Sequence, residues 1–326
     1  MTVCVTTAEK FLDMGIALAI FAAVIAVILL IASRFGGRRG DRVVALVFLL
    51  PVAVMLAVGL IYPGVLTIIN SFYDAPGTSF IGIDNYETIF TSKDQLTVLR
   101  NTVIWVVVTP FVATGIGLLY AILVDRARIE SLAKAVIFLP MSISFVAASI
   151  IWKFVYEYRP DQGNIKQIGL LNQIVVWLGG EPTQWLLETP LNTLFLVVVM
   201  IWIQAGFAMT VLSAAIKAIP DDVIEAARLD GVTPWGMFRF VTLPSIRPAV
   251  VVVLTTIGIG TLKVFDIVRT MTGGNFDTSV VANEFYSQSF RADNQGLGAA
   301  LAVLLFILVI PIVVYNIRQL RASEAR

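Results

Sequence analysis

The stretch from Ile219 to Pro248, IPDDVIEAARLDGVTPWGMFRFVTLPSIRP, is a polar island between two long apolar runs. Its residues encode two short helices joined by a turn. Pro220 suits a first helical position, where its missing N–H would be unpaired anyway, and Asp221 and Asp222 place negative charge at the positive end of the helix dipole. Val223, Ile224, Ala227 and Leu229 supply an apolar side, and Asp222, Glu225 and Arg228 a polar one. Gly231 follows, where a left-handed cap favours a residue without Cβ. Thr233 can then cap a second helix with Pro234 at its first position, while Pro244 and Pro248 predict a break before the next span. A segment of this kind either lies in the membrane interface or docks a soluble partner.

Working outward, the composition is 58% hydrophobic and only 14% charged, far from the fractions usual for soluble domains. An all-α polytopic membrane protein is expected. Histidine is absent and Cys4 is the only cysteine, which removes His-based catalysis, thiolate metal sites and an intrachain disulfide. Seven apolar segments are long enough for a hydrocarbon core that needs about 20 helical residues. They are Met14–Ser33, Val43–Ile69, Thr102–Val124, Ala135–Tyr156, Leu191–Leu212, Ala249–Val268 and Leu297–Tyr315. The first has no basic flank before it and is followed by Arg34, Arg38, Arg39 and Arg42, so it reads as a retained span and not a signal peptide.

If the island faces the cytoplasm, the loops on its side and the C-terminal tail hold fourteen Lys and Arg residues against seven on the other side. The positive-inside rule then puts the N-terminus outside and the island and C-terminus inside. Asn70–Asn101 carries a Pro76-Gly77 turn and is too short to fold alone. In Gly163–Gly180 an amphipathic run to Trp177 predicts a helix on the outer surface, with Trp177 and Trp185 as interfacial aromatics.

Glu225-Ala226-Ala227, followed by Asp230-Gly231 and then Thr242-Leu243-Pro244, resembles the "EAA" cytoplasmic loop of binding-protein-dependent ABC importer permeases. With the last six spans and Lys263–Gly274, KVFDIVRTMTGG, the resemblance covers roughly Val43 to Leu320 and is closest to carbohydrate permeases of the maltose and α-glucoside type. It implies an extra N-terminal helix and basic loop over 1–42, a permease domain over 43–320 containing the loop 219–248, and a cytoplasmic tail over 321–326. It implies that Glu225, Ala226, Ala227, Asp230 and Gly231 couple to an ATPase. The implied partners are a second, homologous permease forming a heterodimer, two cytoplasmic ATPases, an extracytoplasmic sugar-binding protein, and a sugar such as maltose or trehalose.

An importer needs an energy source, and a P-loop needs Gly-Lys-Ser/Thr opening a helix. No Gly-Lys pair occurs in the chain, so ATP and Mg would be used by the partner ATPase, with no cofactor bound here and no enzymatic role. The span interiors carry no histidine and no mid-membrane carboxylate; Lys153, Lys263 and Asp266 fall toward outer ends. Proton-coupled secondary transport is therefore disfavoured, although sodium coupling through carbonyls of broken helices stays open. A substrate path would use weak polar and aromatic groups: Met141, Ser144 and Phe145 after Leu139-Pro140; Trp202, Gln204 and Phe207; Thr256 and Gly260. By resemblance these positions match the cavity-lining sites of maltose-type permeases, with Met200, Met141 or Phe207 where that family offers asparagine or tyrosine. No buried cationic pair is evident for a phosphorylated solute such as glycerol 3-phosphate, so a neutral sugar is preferred.

Overall fold

The computed structural model describes residues 7–34, 38–125, 129–159 and 169–324; Cys4, Arg126, Arg128, Arg326 and the start of the Gly163–Gly180 segment lie outside them. Among the described residues the regular structure is helical, with one isolated bridge between Tyr73 and Phe80. The chain divides into two units, Met1–Leu66 and Thr67–Arg326.

The first unit holds α1 (Thr7–Arg34) and α2 (Arg38–Leu56), and a π turn, Ala57–Ile61, leads into α3 (Tyr62–Asn70). Leu49, Met55 and Leu60 are exposed, as a lipid-facing helix requires.

The second unit continues with α4 (Asp84–Thr91), α5 (Lys93–Val124), α6 (Glu130–Phe138), α7 (Phe145–Val155), α8 (Leu170–Trp177) and α9 (Asn192–Lys217). The island follows as α10 (Asp221–Leu229) and α11 (Pro234–Gly236), then α12 (Leu243–Leu262), α13 (Asp266–Met271), α14 (Val281–Phe290) and α15 (Gln295–Glu324).

The central packing is α5 on α9. In lipid, helices gain little from burying apolar area and associate where small residues let backbones approach. Ala113, Gly117 and Ala121 recur every four residues along α5 and are buried. A Cβ on Gly117 would stand 2.4 Å from the Ala208 Cβ and 2.7 Å from the Met209 amide nitrogen of α9, so glycine is what allows this approach.

Among the described residues five helices are long and apolar enough to cross a membrane, and six if a bent pair is one span. The segment expected as a span over Ala135–Tyr156 is this bent pair: α6 and α7 meet at 103°. Pro140 sits at the start of a 3-10 turn, Leu139–Ser142; Ile143 is extended; and the Ser144 hydroxyl accepts the Ala147 N–H at 3.2 Å to start α7. The break fits against Gly206 of α9, where a Cβ would be 2.6 Å from the Ile137 carbonyl oxygen. The segment expected at Met14–Ser33 is helical throughout, within the 28 residues of α1.

A correction concerns Pro244 and Pro248, which do not stop the helix from Pro234 running on to Leu262. The chain passes through a π turn, Met237–Thr242, just before Pro244, and the Ser245 hydroxyl donates to the Val241 carbonyl at 2.7 Å. A widened turn and a hydroxyl are the usual accommodation of proline in a membrane helix. The span then ends at Leu262, short of the expected Val268, and α13 is a separate short helix packed on α7.

Candidate coupling surface and transport path

Pro220 occupies the position before α10 rather than its first residue, with φ −57° and ψ 137°. The helix ends as its sequence demands. Gly231 has φ +74°, and the N–H groups of Gly231 and Val232 donate to the Arg228 and Ala227 carbonyls at 3.0 and 3.2 Å, the paired bonds of a Schellman cap. The Thr233 hydroxyl accepts the Gly236 N–H at 3.2 Å, with Pro234 at the first helical position.

The two faces of α10 differ from the expected apolar set. Ala227 turns inward at 9% exposure, whereas Leu229 is 89% exposed. Two residues advance a helix by about 200°, so these two side chains cannot share a face. The outward surface combines Val223, Glu225, Ala226, Leu229 and Asp230, with Trp235 and Phe240 exposed beyond the turn. Carboxylates set among uncovered apolar side chains have the character of a protein contact surface.

Behind this surface lies a cavity of about 400 Å³ lined by Ile122 and Asp125 of the α5 end, Ile216 of the α9 end, and Arg228, Phe238 and Thr242 of the island. Next to it, Glu130 accepts from both Lys134, at 2.7 Å, and Lys217, while Asp125 stands 3.6 Å from Lys217 and Lys134 donates to Ser213. These charges fasten the start of α6 to the end of α9, where the island begins.

The path candidates fall in three places. Met141 and Phe145 are exposed at the break, and the Ser144 hydroxyl is spent on its cap. Trp202 meets Trp152 edge-on at 5.7 Å and lines a cavity of about 370 Å³ with Tyr120 and Pro140. Gln204 lies about 200° round α9 from Trp202. Its amide nitrogen is 3.9 Å from where a Cβ on Gly260 would be; Thr256 is one turn from Gly260, and Phe207 one turn from Gln204. Within this chain, Gln204, Phe207, Thr256 and Gly260 thus form one α9–α12 patch, while Trp202 faces elsewhere.

At the other end, buried asparagines do work that sequence reasoning missed. The Asn101 amide donates to the Asp277 and Ser279 carbonyls at 2.6 and 3.0 Å, and Asn192 donates to the Phe276 carbonyl at 2.6 Å. They pin a turn in which Phe276 and Asp277 hold φ near +57° and +56°. Asn172 of α8 donates to the Glu157 and Thr183 carbonyls and accepts from the Thr183 N–H and from Trp185 Nε1 at 2.9 Å each. Trp185 is thereby held by packing and a hydrogen bond, while Trp177 is exposed. The one available signal was an amide at the edge of each apolar segment.

Known proteins agree with this geometry. The chain is 46% identical over 277 residues, 85% of itself and 99% of the relative, to the osmoprotective compounds uptake permease protein GgtC of Synechocystis sp.. It is 44% identical over 290 residues to the alpha-glucoside transport system permease protein AglF of Rhizobium meliloti, covering 89% of this chain and 85% of that one. A subunit of a bacterial ABC transporter involved in import of the acidic polysaccharide alginate shares the fold, with TM-score 0.71 and 22% identity over 84% of this chain and 94% of that one. Residues 113–322, which run from the α5 crossing through the island to α15, match the family described as binding-protein-dependent transport system inner membrane component, and the chain belongs to that family.

Proposed function

We propose that this chain is the membrane-spanning half of an ATP-driven sugar importer, with an α-glucoside or related small glucoside as substrate. The single observation that carries the coupling role is the island: a capped helix pair seated on the ends of α5 and α9, its outer face bearing Glu225 and Asp230 among exposed Val223, Leu229 and Trp235. Glu225, Ala226, Asp230 and Gly231 would meet a cytoplasmic ATPase, with Ala227 packed behind them. The α9–α12 patch, with Gln204, Phe207, Thr256 and Gly260, would face a second permease and form the path with it. Met141, Ser144, Phe145 and Trp202 would line its margins. The permease core would be 43–320, with the N-terminus outside and the island inside. The sugar reading is supported by the likeness to the alpha-glucoside permease AglF and to the trehalose/maltose permease of Thermococcus litoralis, which is 29% identical over 242 residues.

The test is purification of the complex in mild detergent. The ATPase subunits should co-purify, and maltose-loaded binding protein should stimulate hydrolysis. Glu225→Lys should weaken both, because truncating one side of a partly desolvated interface pair costs about 2–5 kcal/mol and reversal costs more. Normal association and stimulation in Glu225→Lys would leave the island as an interfacial helix. For orientation, a cysteine at Gly236 should react with an impermeant maleimide only after lysis; labelling in intact cells would invert the topology.

A further inference from the structure

At the end of the bundle opposite the island, separated from it by the 26 residues of α9, or roughly 39 Å at 1.5 Å per residue, lies a cavity of about 510 Å³. It is bounded by the last turns of α7, the segment after α8 and Thr270 of α13. Its volume falls within the roughly 300–1,000 Å³ usual for small-ligand sites.

Four aromatic residues line it: Phe154, Tyr156, Tyr158 and Trp185. Trp185 is held in place by its Nε1 bond to Asn172 and by edge-on packing with Phe195 at 5.0 Å, so that wall is pre-formed. Lys153, Glu157, Gln184 and Thr270 also line it; Glu157 pairs with Arg159, and the other three side chains make no hydrogen bond or ion pair with another described residue. Donors and acceptors with capacity to spare beside one fixed aromatic face, that of Trp185, suit a polyhydroxylated ligand.

We propose that this cavity is a second sugar site, an entrance site that a glucoside occupies before the membrane path. The C–H face of a pyranose would lie on an aromatic wall, and its hydroxyls would bond the Lys153 ammonium, the Gln184 amide and the Thr270 hydroxyl. Glu157 at the same cavity disfavours an anion, and a lipid chain would leave the three polar groups unmatched. The inference rests on the reading of the protein as a sugar importer.

The experiment is uptake of radiolabelled maltose and trehalose into proteoliposomes holding the full complex and its binding protein. Phe154→Ala and Gln184→Ala should each raise KM by about three- to tenfold, the size of one lost aromatic or comparable contact, with the loss recovered at saturating sugar. Phe154→Tyr should keep the wild-type KM. Co-purification of the ATPase verifies assembly, and Gln184→Ala, at a half-buried loop position, carries the test if Phe154→Ala fails to assemble. Unchanged KM in both alanine variants overturns the entrance site alone and leaves the importer reading standing. A lowered maximal rate at unchanged KM, or a Phe154→Tyr defect equal to that of alanine, makes these packing residues and also overturns it. A wild-type complex that takes up neither sugar overturns the importer reading and the entrance site together.

Discussion

Gly231 isolates one physical effect in the turn between α10 and α11. Its φ of +74° lies in the left-handed region, yet a Cβ built there meets nothing within 4 Å. Any cost of substitution is therefore backbone strain, free of a steric clash. Alanine should cost about 1 kcal/mol, and β-branched valine about 1–2 kcal/mol or more, because left-handed backbone crowds a branched Cβ. Asparagine, which tolerates this region, should cost much less. Strain of 1–2 kcal/mol shifts a local equilibrium by roughly 5- to 30-fold, here away from the cap that sets the angle between α10 and α11. The expected order of stimulated ATP hydrolysis in reconstituted complexes is glycine, then asparagine, then alanine, then valine, with complex recovery falling in the same order. The thermal midpoint of the detergent-solubilised permease should barely move, because the cap lies outside the packed helices. Valine performing as well as asparagine would refute the reasoning, since the cap would then not govern docking.

Other substitutions test the frame. Gly117→Ala would drive a methyl to 2.4 Å from Ala208, whereas Gly115→Ala on the same helix meets nothing within 4 Å. The first should destabilise by about 1–3 kcal/mol, as overpacking does, and the second should be neutral or slightly stabilising; equal thermal midpoints would mean that α5 and α9 do not cross as closely as described. Asn172→Leu keeps the branching of the side chain, at a larger volume, but leaves the Glu157 and Thr183 carbonyls and Trp185 Nε1 without their partner, at about 1–3 kcal/mol for each group that stays buried. Hydrogen exchange should rise over residues 169–185; unchanged protection there would show that water replaces the amide.

The features legible in the sequence are those decided by one residue and its near neighbours. Gly231, Thr233 and Pro234 each have an intrinsic backbone or capping preference, so the turn between α10 and α11 was readable to the residue. Long apolar runs likewise showed the helices of α5, α9 and α15. Less legible were the features settled by a distant partner. Pro140 announces a weak point, but a 103° bend also needs Gly206, 66 residues on, to receive the Ile137 carbonyl. Pro244 signals a stop, yet the π turn Met237–Thr242 carries the helix through it. Trp202 and Gln204 stand two residues apart in the sequence, and composition records no azimuth on a helix that is packed on several sides.

The long-range contacts that the sequence hides also give the molecule its mechanical logic. The same two helices, α5 and α9, serve both ends. At one end Asn101 and Asn192 near their starts hold the Phe276–Ser279 turn; at the other Asp125 and Ile216 border the cavity under the island, and Lys217 reaches Glu130. Between the ends, the Gly117–Ala208 approach leaves no slack for the helices to slide independently. Interfaces packed this closely are displaced as bodies more readily than they are deformed. A force applied to α10 would therefore be carried to the far turn by rotation of the α5–α9 pair as one piece.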